Sequence, residues 1–231
     1  MWAGRPRDAL VGATHMSGQP AAGGGRHIDV APERLDRWLI GFAEQHGPGR
    51  WTATETQLKV TATDGALAEC DVPFAPLDID DSAAYAGLVA HALRDRRVGV
   101  VLVRLGGYSV GVFNGTTLVA SKTGSRQVHG RSAAGGWSQQ RFARRREGQV
   151  RVALADAADV VARILLPAVG LEAVVLGGDR RAVTAVMDDP RLKVLQALAV
   201  PRIFDVPDPR LRVLQESPRL FRAVRIRVVD P

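Results

Sequence analysis

The chain has 231 residues, a formal net charge of +7 and 46% hydrophobic residues, enough to bury the core of one large domain with a smaller companion. Cys70 is the only cysteine, which excludes an intrachain disulfide and a multi-cysteine metal site. No apolar run approaches the roughly 18 residues of a membrane helix, and no signal-peptide core follows the first arginines, so we expect a soluble, cytoplasmic protein.

The start of the chain is predicted to form a tail followed by a helix. Residues 1–26 are rich in glycine and poor in apolar residues, which is typical of a disordered tail. A helix is predicted from Pro32 to the stop signal at Gly47-Pro48, because apolar residues recur on one helical face. That face consists of Leu35, Trp38, Leu39 and Phe42.

Two strands and a second helix come next. The strands, near 51–62 and 66–74, meet at Asp64-Gly65, which is a strong hairpin signal. The second helix is predicted to run from Ser82, an N-cap candidate, to Arg97. We interpret residues 27–95 as a small accessory α+β domain.

A larger unit begins with three predicted strands. Residues 98–103 form a continuous apolar run, which suits a strand buried on both faces, and 108–113 follow as its neighbour. Asn114-Gly115 predicts a hairpin turn into a third strand at 116–122. The polar loop 123–137 is too long for a simple connector, and loops of that length are usually functional or disordered.

A long helix is predicted from Ser138, an N-cap candidate, to Leu166. The remaining predicted elements are a strand at 171–176, helices at 180–188 and near 190–199, a strand at 203–206, a helix near 208–216 and an edge strand at 224–228. Hairpin strands followed by alternating helices and strands predict an α/β fold, in which a mixed sheet is covered by helices over residues 96–231.

Several chemistries find little support. The three strands at 98–122 contain no acid that could hold the two metal ions of a ribonuclease H-like nuclease. The five histidines show no zinc-ligand spacing. His129 lies in the basic loop, where a phosphate contact or a role as a base is an alternative to the favoured interpretation as a solvated loop residue. Gly177-Gly178-Asp179 resembles a phosphate-binding turn only weakly, and a tight strand-to-helix turn explains it. We therefore expect no metal and no cofactor.

The positive charge is concentrated around the long loop. Residues 121–151 carry eight Lys/Arg and one acid, and the 23 basic and 23 acidic residues elsewhere cancel. Such clustering of positive charge is typical of a polyanion site. Trp137 adds an aromatic face for base stacking, and the helix predicted from Ser138 adds free backbone N–H groups at its start, which together suit an RNA end. The predicted RNA-binding residues are Arg126, Arg131, Trp137, Arg141, Arg144, Arg145 and Arg146.

The same stretch resembles a known family. The run from Gly130-Arg131 through Gly135-Gly136 and Ser138 to Arg141-Phe142-Ala143-Arg144 is similar to the catalytic segment of archaeal and eukaryotic class I peptide-chain release factors. Residues 173–179 resemble the strand and turn that follow it there. The resemblance covers roughly residues 98–231, the central domain. It implies a Gly-Gly-Gln loop that enters the peptidyl-transferase centre and hydrolyses the ester between nascent chain and tRNA.

One position departs from that family. A gapless alignment places Trp137 where the family has its glutamine. In the Vms-like branch, the peptidyl-tRNA hydrolases of ribosome-associated quality control, Gly-Ser-Gln replaces Gly-Gly-Gln, and Ser138-Gln139 fits that version. The resemblance therefore implies Gln139, ahead of Gln140, as the catalytic glutamine, with Gly135 and Gly136 permitting the backbone path. Without the resemblance, both glutamines are ordinary first-turn residues of a helix.

The resemblance also implies the partners. These are the large ribosomal subunit, peptidyl-tRNA and ribosomal RNA, with no membrane. Residues 27–95 do not match the stop-codon-reading module, so codon-independent release from stalled complexes is predicted. Two alternatives remain open: a non-catalytic ribosome-binding rescue or hibernation factor, which Trp137 favours, and a generic RNA-binding protein, which the charge alone favours.

Overall fold

The computed structural model describes residues 19–21, 24–125 and 147–231 in full, together with the backbone of residues 137–146. The described strands are β1 (Gln19–Pro20), β2 (Arg26–Val30), β3 (Gly49–Ala53), β4 (Gln57–Ala62), β5 (Leu67–Asp71), β6 (Arg97–Arg104), β7 (Gly107–Asn114), β8 (Thr117–Ser125), β9 (Ala173–Gly178), β10 (Ala199–Phe204) and β11 (Val224–Val229). The described α-helices are α1 (Pro32–His46), α2 (Leu88–Leu93), α3 (Trp137–Leu165), α4 (Arg180–Met187), α5 (Lys193–Gln196), α6 (Leu211–Glu216) and α7 (Pro218–Phe221).

The first sheet is antiparallel, in the order β1-β2-β11-β5-β4-β3. Alternation along its strands sends one set of side chains to a core under α1 and α2, as β4 illustrates: Leu58 and Val60 are buried and Lys59 is exposed. The helix α1 contributes the apolar face predicted from its sequence, with Leu35 and Leu39 fully buried.

The second sheet is mixed, in the order β10-β9-β6-β7-β8. The strands β10, β9 and β6 are parallel, whereas β6, β7 and β8 are antiparallel. Helices α3, α4 and α5 cover one face, and α6 and α7 cover the other. Because both faces are covered, β6 is apolar along nearly its whole length. The predicted α/β fold with a helix-covered mixed sheet is confirmed.

The C-terminal strand is where the expected architecture needs correction. It was predicted as an edge strand of the larger unit, but β11 lies in the interior of the first sheet, between β2 and β5. Its alternation is as predicted, since Val224, Ile226 and Val228 are buried. The two units are therefore not consecutive in sequence, because the end of the chain returns to complete the sheet of residues 27–95.

Three further predictions in the first unit need correction. The strand expected at 51–62 is a hairpin of β3 and β4, because Thr54 Oγ1 accepts hydrogen bonds from the backbone N–H of Thr56 (3.4 Å) and Gln57 (3.0 Å). The predicted second helix shortens to α2, since Gly87 is left-handed and Ser82 donates to Asp80 rather than capping a helix. In the predicted tail, β1 pairs with β2, and residues 1–18 lie outside the described residues.

The hairpin predicted at Asp64-Gly65 is confirmed, and the one predicted at Asn114-Gly115 is present with its turn shifted by one residue. Asp64 Oδ1 accepts from the backbone N–H of Ala66 at 2.9 Å between β4 and β5. Asn114 pairs with Thr117, so the turn residues between β7 and β8 are Gly115 and Thr116. β8 continues to Ser125, three residues beyond its predicted end, which shortens the loop that follows.

A buried arginine lies where the two units join. Arg96, only 5% exposed, donates from Nη1 to the carbonyl oxygens of His91 (2.9 Å) and Arg94 (3.1 Å), and it stacks over Phe74. Phe74 in turn meets Phe221 of α7 edge to face. His91 Nε2 lies 2.9 Å from both Arg96 Nη2 and the carbonyl oxygen of Pro73. This nitrogen either accepts from Arg96 or donates to Pro73, and protonation removes the first option.

The pH dependence of stability is expected to reflect this joint. The pKa of His91 lies below its ordinary value, first because burial disfavours the charged ring and then because Arg96 and Arg94 repel it. An unfolded chain, with an ordinary histidine pKa of about 6.5, thus binds more protons than the folded chain once the pH falls below that value. The free energy of unfolding should be fully retained above about pH 6.5 and decrease below it.

Urea unfolding between pH 7.5 and 5 measures this decrease. His91→Gln supplies an amide that can accept from Arg96 and donate to Pro73 without titrating, so the variant should show a shallower decrease. The pKa of His27 is also lowered, chiefly by burial and then by Arg225, so part of the decrease should remain. An identical slope in the variant would contradict the assignment to His91.

Candidate functional site

The predicted catalytic loop leaves from one edge of the second sheet. β8 ends at Ser125, and α3 begins at Trp137. Ser125 pairs with Gly107 at the start of β7, directly after the end of β6. The parallel strands β6, β9 and β10 all end at this same edge, because parallel neighbours share direction. The carboxyl edge of the parallel strands therefore carries the start of the loop.

The helix α3 extends beyond that edge. Its end packs at the start of β6, where a side chain at Gly99 would contact Leu165 at 3.1 Å. Val150 and Leu154 line a small cavity with Val103 and Tyr108 at the other end of the strands. The helix thus runs antiparallel to β6. Thirteen residues of α3 precede Val150, which corresponds to about 20 Å of helix axis.

The predicted site residues fall into two groups. Trp137, Ser138, Gln139, Gln140, Arg141, Arg144, Arg145 and Arg146 belong to α3, but their side chains lie outside the described residues. Arg126, His129, Arg131, Gly135 and Gly136 lie wholly outside them. The helix begins one residue earlier than predicted, so Ser138 belongs to its first turn. The roles of all these residues stay predictions.

The Gly177-Gly178-Asp179 segment is a tight strand-to-helix turn. Gly178 has a φ of 108°, and a Cβ at this position would overlap the carbonyl oxygen of Val103 on β6. Asp179 Oδ1 accepts from the backbone N–H of Ala182 at 2.9 Å and so caps α4. Because the carboxylate of Asp179 occupies the helix start, the interpretation of this segment as a tight strand-to-helix turn is confirmed.

Two exposed arginines at this edge are absent from the predicted RNA-binding set. Arg180 and Arg181 directly follow Asp179, at the carboxyl edge of β9. Their position directly after the strand predicted at 171–176 was a signal for this placement. At the same edge Arg104, the last residue of β6, donates to Asp205 at 2.8 Å. Arg151 of α3 is exposed beside the cleft between α3 and α4.

The described residues offer few alternative reactive groups. Within residues 19–21, 24–125 and 147–231, no three His, Cys, Asp or Glu side chains are grouped as a metal ion would require. Burial raises the pKa of the Cys70 thiol to about 12, so this cysteine is a poor nucleophile. None of the helices in the described part of the chain is both long and apolar enough to cross a membrane.

Comparison with protein families identifies the second unit. Residues 96–227 match the model of the Actinobacteria/chloroflexi VLRF1 release factor. The chain belongs to this family. The VLRF1 match begins one residue before β6, covers the second sheet with its helices, and ends within β11. Because VLRF1 is a release-factor family, the resemblance to release factors noted in the sequence is confirmed at that level.

The chain was also compared with solved structures and with curated proteins. An archaeal protein is 17% identical and has a TM-score of 0.40, with 68% of this chain and 48% of that chain covered. The archaeal translation termination factor aRF1 is 15% identical and has a TM-score of 0.42, with 81% of this chain and 61% of that chain covered. The VLRF1-family chain thus spans about half to three fifths of these proteins' length. No match is found among the curated proteins.

Proposed function

We propose that this VLRF1-family chain is a peptidyl-tRNA hydrolase, a codon-independent release factor of the Vms-like type that frees nascent chains from stalled large-subunit complexes in the cytoplasm. One observation carries the proposal: the release-factor family match covers the sheet from whose edge the Gly135-Gly136 loop and the start of α3 depart. A helix that extends about 20 Å past its sheet suits a reach into a narrow ribosomal centre.

The proposed reaction is hydrolysis of the ester between the nascent chain and the tRNA. A neutral carboxamide is no general base, so Gln139 holds a water molecule by hydrogen bonds against the ester carbonyl carbon. Backbone N–H groups at the start of α3 stabilise the oxyanion as the carbon–oxygen bond to water forms. The bond to the tRNA 3′ oxygen then breaks, and this oxygen takes up the proton released by water. No metal or cofactor is needed.

The remaining predicted residues bind RNA in this proposal. Gly135 and Gly136 give the loop a backbone path closed to bulkier residues, and Ser138 and Gln140 flank the catalytic amide. Arginines of the loop and α3 neutralise phosphates of the acceptor stem and of ribosomal RNA, while Trp137 stacks on a base. The exposed Arg180 and Arg181 extend this basic surface along the edge of the sheet.

A direct assay tests the proposal. Purified protein is added to large subunits that carry peptidyl-tRNA, and released peptide is measured against time. Release is expected without a stop codon. Tight subunit binding without release would instead support a non-catalytic rescue or hibernation factor, an alternative favoured by Trp137 at the place of the usual glutamine. Binding to any RNA, with no preference for ribosomal complexes, would support a generic RNA-binding protein.

Arg144 and Arg145 are expected to contact phosphates. Replacing both with glutamine should reduce the slope of log affinity against log salt concentration by about two, since each lost phosphate contact removes about one. The measurement is binding to large subunits at several salt concentrations. Arg37→Gln, which changes an exposed arginine of α1 in the first unit, is the control and should preserve the slope. An unchanged slope in the double variant would argue against a phosphate role.

A further inference from the structure

The carboxyl edge contains a tyrosine packed across a glycine at the start of the loop. Tyr108 of β7 pairs with Gly124 of β8, and both lie on the face of the sheet that α3 covers. A Cβ added at Gly124 would overlap Cζ and Oη of the Tyr108 ring. The ring therefore occupies the space above Gly124, two residues before the loop begins.

The backbones of β7 and β8 also approach each other closely at Gly107, which pairs with Ser125. A Cβ added at Gly107 would lie 2.7 Å from the carbonyl oxygen of Gly124, closer than side chains tolerate. On the opposite face, the hydroxyl of the fully buried Ser109 lies 2.9 Å from that of Thr123. The last residue pairs between β7 and β8 are thus in close contact on both faces of the sheet, just before β8 ends.

The helix that follows the loop meets the same tyrosine. Tyr108 packs against the core cluster formed between the sheet and α3, with Leu154 at its margin. A small cavity separates them, lined by Gly107, Tyr108 and Gly124 from the sheet and by Val150, Leu154 and Ala157 from α3. One side chain therefore contacts the strand that enters the loop and borders the helix that leaves it.

The geometry points to Tyr108 as a positioning residue for the catalytic loop, with Gly124 as the glycine that makes room for its ring. This inference rests on the proposed peptidyl-tRNA hydrolysis. Tyr108 touches no substrate; it acts by fixing the exit of β8 against α3, and so sets where the loop is presented. Since misplacement by about 1 Å can cost about 100-fold in rate, a loosened loop base should slow the chemistry and leave RNA binding intact.

The test compares Tyr108→Ala, Tyr108→Phe and Gly124→Ala in the full chain. Tyr108→Ala and Gly124→Ala are expected to lower kcat for peptide release by at least about 10-fold, with affinity for the large subunit within about twofold of wild type. Tyr108→Phe should retain release, because it loses only the hydroxyl and keeps the aromatic ring packed across Gly124. Val119→Ala, at an exposed site of β8 far from the loop, is the control for changes in that strand.

Amide hydrogen exchange gives a readout that does not depend on activity. Exchange at 123–125 and 150–154 should be faster in Tyr108→Ala than in Tyr108→Phe, while exchange in the first sheet stays unchanged. Equal exchange in the two variants, or equal losses of kcat and of affinity, would overturn the positioning role. If wild type releases no peptide, the proposed function fails, and the exchange comparison still decides whether Tyr108 holds the loop base.

Discussion

Replacing Gln139 with alanine is expected to lower the rate of peptide release by about 100-fold, the loss typical when a group that orients a reactant is removed. The same change at Gln140 should leave the rate within about twofold. The difference arises because adjacent residues of a helix point about 100° apart, so only one carboxamide can face the ester. Single-turnover release from large subunits with bound peptidyl-tRNA measures both rates.

The two variants are matched, since each removes one carboxamide from the first turn of α3. Affinity for the large subunit should be unchanged in both, which separates lost chemistry from lost binding. A loss confined to Gln140→Ala would move the catalytic role to that residue. Full release by both single variants and by the double variant would contradict catalysis by either glutamine.

Replacing Ile226 with alanine is expected to lower the free energy of unfolding by about 2–5 kcal/mol, the range for a large aliphatic side chain removed from a core. Ile226 is fully buried in β11, and it pairs with Ile28 of β2 on one side and Cys70 of β5 on the other. The cavity would therefore open in the centre of the first sheet. Urea unfolding at neutral pH measures the change.

Ile40→Ala is the matched control. Ile40 belongs to α1 of the same unit but is 48% exposed, so its loss should change the free energy of unfolding by less than about 0.5 kcal/mol. A chain truncated before β11 should fail to form the first sheet, because β2 and β5 would lose their common neighbour. A small effect of Ile226→Ala, or a folded first sheet in the truncated chain, would contradict the placement of β11.

Elements with strong local signals were predicted well. The helix at Pro32–His46 has both an apolar face and a Gly-Pro stop, and the apolar run of β6 allows few alternatives. Prediction was poorer where local geometry depends on a single residue. The hydroxyl of Thr54 accepts a hydrogen bond in the turn that separates β3 from β4, where one strand was predicted. The left-handed backbone of Gly87 makes α2 begin later than predicted.

The candidate site shows the same division. The glycine pair, the charge cluster and the release-factor resemblance were readable from residues 121–151, and the VLRF1 match agrees with them at the level of the family. Tyr108 and Gly124 carried no such signal, because they lie 16 residues apart and meet only through the register of β7 and β8. Their contact is a property of strand pairing.

By itself, the sequence determined the strongly patterned elements such as α1 and β6, the faces that they bury and the position of the basic loop, since these depend on neighbouring residues. Only the tertiary structure decided that β11 completes the first sheet and that Tyr108 packs at the base of the loop. The physical reason is that an alternating strand specifies its buried face but not its neighbours. The pairing of β11 with β2 and β5 is settled only when distant segments pack together.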